Sequence, residues 1–141
     1  MTDATDIEFL DTNVVLYAHD TTAGPKYESA KALVARLSRS GGAVSIQVLQ
    51  EFFVNATQKL PTALSPATAA AVVTDLSSLS VHRPSPSDVQ AAIEIHEGYG
   101  LSFWDAMIVR SAAQLGCEIL WSEDLNAGQV YEGVEVRNPF D

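Results

Sequence analysis

With 141 residues, 47% of them hydrophobic, the chain can bury one ordinary core and has little material left for a second domain. A net charge of −10 argues against a broad basic surface for nucleic acid, although Lys26, Lys31, Arg36 and Arg39 gather four of the eight basic residues in one stretch. The single cysteine, Cys117, excludes an internal disulfide and reads as a buried structural thiol in a protein of the reducing cytoplasm.

In chain order, Ile7 to Leu10 predicts a first strand ending at Asp11, followed by a helix over about Thr12 to Ala18. Gly24-Pro25 opens a second helix, whose apolar residues Tyr27, Ala30, Leu33, Val34 and Leu37 recur at helical spacing until Gly41-Gly42. Ala43 to Ile46 predicts the second strand, and a helix then runs from Gln47 to Leu60, stopped by Pro61. Ser65-Pro66 opens an alanine-rich helix to about Ser78, and Leu79 to His82 is a weak third strand. Further helices run from Ser85-Pro86 to about Glu97 and from Ser102 to Gly116. Glu118 to Trp121 is the fourth strand, with Val134 to Val136 a fifth.

Alternation of this kind predicts an α/β fold, a three-layer α/β/α sandwich around a mainly parallel sheet of four to five strands. The expectation is one domain over residues 1–141, with 1–6 a flexible N-terminus, too polar and acidic for a leader. No apolar run approaches the roughly 20 residues that span a bilayer, so a membrane role is not expected.

Ligands of such sheets bind beyond the carboxyl ends of the strands. Asp11 directly follows the first strand and Asp124 shortly follows the fourth, so both fall on that edge. Each taken alone reads first as a turn or helix cap, and it is the pair at matching edges that points to a site. Asp105 can cap its helix with Ser102, yet at 100° per residue it falls among Ile108, Val109 and Ala112 on the apolar face. A carboxylate turned that way should meet a cation or a metal. Glu51 lies on the polar side of its helix with Gln47, Asn55 and Gln58, where periodicity permits a place at the site without demanding one.

Clustered carboxylates repel, and a hard divalent cation, Mg2+ or Mn2+, is the ordinary reason for gathering them. Thr12, Asn13 and Ser122 are placed to orient the acids. His19, His82 and His96 show no metal-ligand spacing, and no phosphate-loop or dinucleotide fingerprint is present.

The segments Phe9-Leu10-Asp11-Thr12-Asn13-Val14-Val15-Leu16-Tyr17, Val48-Leu49-Gln50-Glu51-Phe52, Leu101-Ser102-Phe103-Trp104-Asp105-Ala106 and Leu120-Trp121-Ser122-Glu123-Asp124-Leu125 together resemble the PIN-domain nucleases. Within these, they resemble the toxin component of VapBC toxin–antitoxin pairs, over nearly the whole chain from Phe9 to Pro139. The resemblance implies four acids, Asp11, Glu51, Asp105 and Asp124, that act in catalysis and bind Mg2+ or Mn2+. It further implies endonucleolytic cleavage of RNA, a homodimer and inhibition by a cognate antitoxin. Glu123 is common in this subgroup, without a clear role. An aspartyl-phosphate phosphatase of haloacid-dehalogenase type also begins with a strand ending in aspartate. It would want an acid at position 13, which is Asn13, and a lysine later than Lys59, the last in the chain. A receiver domain of a signalling relay meets the same objection. A PIN-like module that only binds RNA or protein is the remaining alternative.

Overall fold

A computed structural model describes residues 6–141; residues 1–5, most of the segment expected to be flexible, lie outside the described residues. In chain order the elements are β1 (Glu8–Leu10), α1 (Thr12–Tyr17), α2 (Pro25–Ser40), β2 (Gly42–Ser45), α3 (Ile46–Gln58) and α4 (Pro66–Leu76). They continue with β3 (Ser80–His82), α5 (Pro86–Tyr99), α6 (Phe103–Gln114), β4 (Ile119–Trp121), β5 (Val130–Tyr131) and β6 (Val134–Arg137). Helix starts follow local chemistry. Ser45, Ser65, Ser85 and Ser102 each accept a hydrogen bond from a first-turn backbone N–H, and prolines open α2, α4 and α5.

The six strands lie in the order β3-β2-β1-β4-β6-β5, all parallel except β5, which pairs antiparallel with β6. Two-residue β5 is the strand the sequence reading lacks. It is one arm of a hairpin whose turn, Glu132-Gly133, has positive φ at both residues (52° and 80°), the backbone of a tight two-residue loop.

From β1 the chain steps to β2 and on to β3 through α1–α4, then returns across the sheet to β4 through α5 and α6. Right-handed crossovers running in opposite directions put those helix groups on opposite faces, which gives the three layers. Accordingly α1 packs on α2 and α3, α3 on α4, and α5 on α6. Phe9, Leu10, Val44 and Leu120 from the central strands are fully buried between Val14, Val48 and Phe52 of one layer and Ile108 and Val109 of the other. Full burial of a side chain of this size contributes about 1.5–3 kcal/mol. The direction of travel reverses between β1 and β4, and that reversal is where an open α/β sheet leaves a crevice.

Candidate active site

Leu10 pairs with Trp121 across the reversal, so the residues that leave β1 and β4 emerge side by side. Asp11 is the N-cap of α1 and only 5% exposed. Its Oδ1 accepts the Thr12 backbone N–H at 2.7 Å, and its Oδ2 accepts the Ser122 hydroxyl at 2.8 Å and the Asn13 amide at 3.4 Å. All of these donors are neutral, and Asp11 makes no ion pair among the described residues. Burial, foremost, pushes the Asp11 carboxyl up to about 7 against those hydrogen bonds, and Asp124 and Asp105 add repulsion.

Asn13 ties the second strand end to the first. Its amide donates to Asp124 Oδ2 at 3.0 Å, while its carbonyl accepts the Glu123 backbone N–H at 3.2 Å. Ser122 closes the same turn, since its oxygen accepts the Asp124 N–H at 3.1 Å while its proton goes to Asp11. Thr12 links α1 to α3 of the same layer by donating to Glu51 Oε1 at 2.9 Å. Gln47 donates to the same oxygen at 3.3 Å and to the Trp104 carbonyl at 3.2 Å, which joins α3 to the first turn of α6. Asp105 lies in that turn, with its backbone N–H capped by Ser102 at 3.1 Å. Burial raises its pKa foremost, opposed by Ser102 and reinforced by Asp124.

The sequence-predicted residues therefore stand at one edge. Asp11, Asp105 and Asp124 feel one another's charge, and Glu51 joins through Thr12. Their degrees of burial differ from the sequence expectation. Asp105 is only half-buried, and Asp11 is the carboxylate withdrawn from water. A strand-end residue enters the interior with the sheet, whereas a first-turn helix residue stays near the rim.

Oxygen-only carboxylate donors suit a hard divalent cation, and the raised pKa of buried Asp11 is a cost that such a cation would offset. The donor set fits by chemistry. Among the described residues, though, no three acidic, histidine or cysteine side chains are grouped tightly enough to enclose an ion.

Other groups stand apart from these acids. Glu123, next to Asp124, turns its carboxylate to Lys26 and to the Tyr17 hydroxyl at 3.1 Å. Lys26 and Arg36 of the basic stretch are held by Glu123 and Glu8, so half of that stretch is already neutralised. Cys117 is 3% exposed and burial pushes its thiol up to about 12, which leaves it unreactive. Sequence reasoning passed over Asp88 and Ser111, which with His82, read as no metal ligand, form a buried polar group between α5, β3 and α6. The capping pattern Ser85-x-x-Asp88 was the signal available for it.

Fold and site together define a doubly wound α/β protein with an acidic crevice at its strand reversal. The chain belongs to the PIN domain family, which matches residues 9–133. Its fold is similar to that of a chain in a toxin–antitoxin complex from Klebsiella pneumoniae (20% identity, TM-score 0.68), covering 94% of this chain and 97% of that one. It is similar to Mycobacterium tuberculosis VapC20, described as a sarcin-ricin loop cleaving toxin (21%, 0.65), over 84% of this chain and 91% of that one. A third likeness is to VapBC2 from Rickettsia felis, bound to a DNA fragment from its promoter (18%, 0.66; 94% and 98%). No curated protein matches the chain by sequence. No helix among the described residues is long and apolar enough to cross a membrane.

Proposed function

We propose that the chain is a Mg2+- or Mn2+-dependent endoribonuclease and the toxin of a type II toxin–antitoxin pair, working as one domain and as a homodimer held in check by a cognate antitoxin. The observation that carries the catalytic reading is Asp11, a buried carboxylate with only neutral donors, set beside Asp105 and Asp124. Membership of the PIN domain family supports it, and the toxin–antitoxin descriptions of similar folds support the cellular role. The phosphatase reading loses its footing, because Asn13 is committed to holding Asp11 and Asp124 rather than to proton transfer.

In this reading Asp11, Glu51, Asp105 and Asp124 would hold the metal. When bound, it would supply Lewis acidity toward the phosphodiester and an activated water. The chain's own part is positional. Ser122 and the Thr12 N–H fix the two oxygens of Asp11, Asn13 holds Asp124 to it, and Thr12 with Gln47 fixes Glu51. Pre-orienting the acids in this way keeps their ordering cost out of the reaction.

The test is cleavage of a mixed RNA substrate by the purified chain. Cutting should require Mg2+ or Mn2+ and stop with chelator, and Asp11→Asn and Asp105→Asn should each lower the rate by about two orders of magnitude or more. Circular dichroism should show both variants folded. Wild-type cutting rates from either variant would rule out the four-acid mechanism.

A further inference from the structure

A cleft of about 330 Å3 adjoins the acids and shares Asn13 and Asp124 with them. Leu16, Leu60 and Pro61 give it an apolar side, and Lys59 stands on its border. Of the eight basic residues, Lys26, Arg36, Arg110 and Arg137 are tied to Glu123, Glu8, Asp88 and Glu135. Lys59 makes no ion pair among the described residues, and it is the one basic side chain lining this cleft. Glu123 and Asp20 also border the cleft, but Lys26 and the Tyr17 hydroxyl engage Glu123, and the Thr22 N–H and hydroxyl donate to Asp20 at 3.0 and 2.6 Å.

Lys59 caps the C-terminus of α3, the helix that brings Glu51 to the acids. Eight residues separate the two, roughly 12 Å along the helix axis. One element thus carries an acid at the reaction edge and a cation further along the surface. An apolar wall beside a cation suits one nucleotide, with base and ribose on the wall and phosphate on the lysine.

We infer that this cleft is a subsite for the nucleotide flanking the cleaved phosphodiester of single-stranded RNA, with Lys59 as its phosphate contact. The inference rests on the nuclease reading for the strand's orientation, but it makes its own binding prediction. In so acidic a chain, the few free cations carry a large share of phosphate affinity, and removing one should show in the salt dependence.

The experiment is fluorescence anisotropy with a fluorescein-labelled 12-nucleotide single-stranded RNA, in chelator, across 50–200 mM salt. Lys59→Ala should weaken binding roughly three- to tenfold and flatten the log–log salt slope by about 0.7, the share of one single-strand phosphate contact. Lys59→Arg should keep the affinity, and Lys31→Ala on α2, outside the cleft, should match wild type. With metal added, KM for Lys59→Ala should rise more than kcat falls. Unchanged affinity and slope in Lys59→Ala, equal losses in Lys31→Ala, or no binding by wild type at 50 mM salt would each overturn the subsite. Cleavage by wild type alongside an unaffected Lys59→Ala would sink the subsite and leave the nuclease standing. Lys59-dependent binding without cleavage would do the reverse.

Discussion

Asp11 and Asp88 are both nearly withdrawn from water, at 5% and 4% exposure, yet their surroundings drive them in opposite directions. Around Asp88 the compensation is complete. Its Oδ2 accepts the Ser85 backbone N–H at 2.8 Å, its Oδ1 accepts Arg110 Nε at 2.8 Å, and His82 Nε2 stands 3.2 Å away. The Ser85 N–H foremost, followed by Arg110 and the Ser85 hydroxyl, holds this carboxyl down to about 2 despite burial. Asp11 has hydrogen bonds of similar length, but no cation and two acids nearby, and burial pushes it up to about 7. At Asp88 the hydrogen bonds, led by the Ser85 N–H, outweigh burial, whereas at Asp11 burial outweighs the hydrogen bonds; neighbouring charges then add in opposite directions, His82 and Arg110 at Asp88 and two acids at Asp11. A buried acid with its cation built in ties elements together, whereas one without is a candidate functional group, in line with the proposed metal site.

Breaking the compensated partner should give the larger effect on stability. Asp88→Ala should cost about 3–5 kcal/mol, because Arg110 and His82 lose the acid that links α6 and β3 to α5. Chemical denaturation measures it. The acid limb supplies a second check. A carboxyl held at about 2 contributes stability above its unfolded value of 3.8, and that contribution disappears as pH falls from about 4 to 2. The wild type should lose stability across that window more steeply than Asp88→Ala, and parallel curves would show that the network does not act through charge.

Asp11→Asn should do the opposite and raise stability by about 1–2 kcal/mol while removing activity. With a folded pKa of about 7 against 3.8, ionising Asp11 costs the fold increasingly as pH rises from about 4 to 7. The gain from asparagine should be present at pH 8 and fade toward pH 4. Mg2+ should raise the melting temperature of wild type and leave that of Asp11→Asn nearly unmoved. Lower stability of Asp11→Asn at pH 8 would mean that the Asp11 carboxylate is compensated after all.

The contrast also explains which features were legible in the sequence. Strand-end acids are readable because the end of an apolar run fixes where the chain emerges, so Asp11 and Asp124 could be placed at one edge. Helix starts at Ser65, Ser85 and Ser102 are local too, since cap and partner lie three residues apart, whereas Ser45, read as strand, is the N-cap of α3. Glu51 was not readable from periodicity, because what draws it in is a hydrogen bond from Thr12, 39 residues away. Asp88 was not read at all: it closes a capping box with Ser85, but its buried partners His82 and Arg110 come from other elements. Strand β5 escaped because two residues are too few to show alternation.

The smallest effect should come from Glu123, the acid beside Asp124. A metal ligand needs free oxygens facing the other acids, yet Glu123 gives one oxygen to Tyr17 and the other to Lys26, whose ammonium also sits about 5.1 Å from the Tyr17 ring centre and 5.4 Å from that of Phe140. That arrangement pins the α2 side of the crevice without contacting Asp11, Asp105 or Glu51. Pairs this exposed contribute little, so Glu123→Gln should keep its RNA cleavage rate within about threefold of wild type at saturating metal. The metal concentration giving half-maximal rate should stay the same. A tenfold rise in that concentration would make Glu123 a ligand, and the boundary between compensated and uncompensated acids would then fall one residue earlier along the chain.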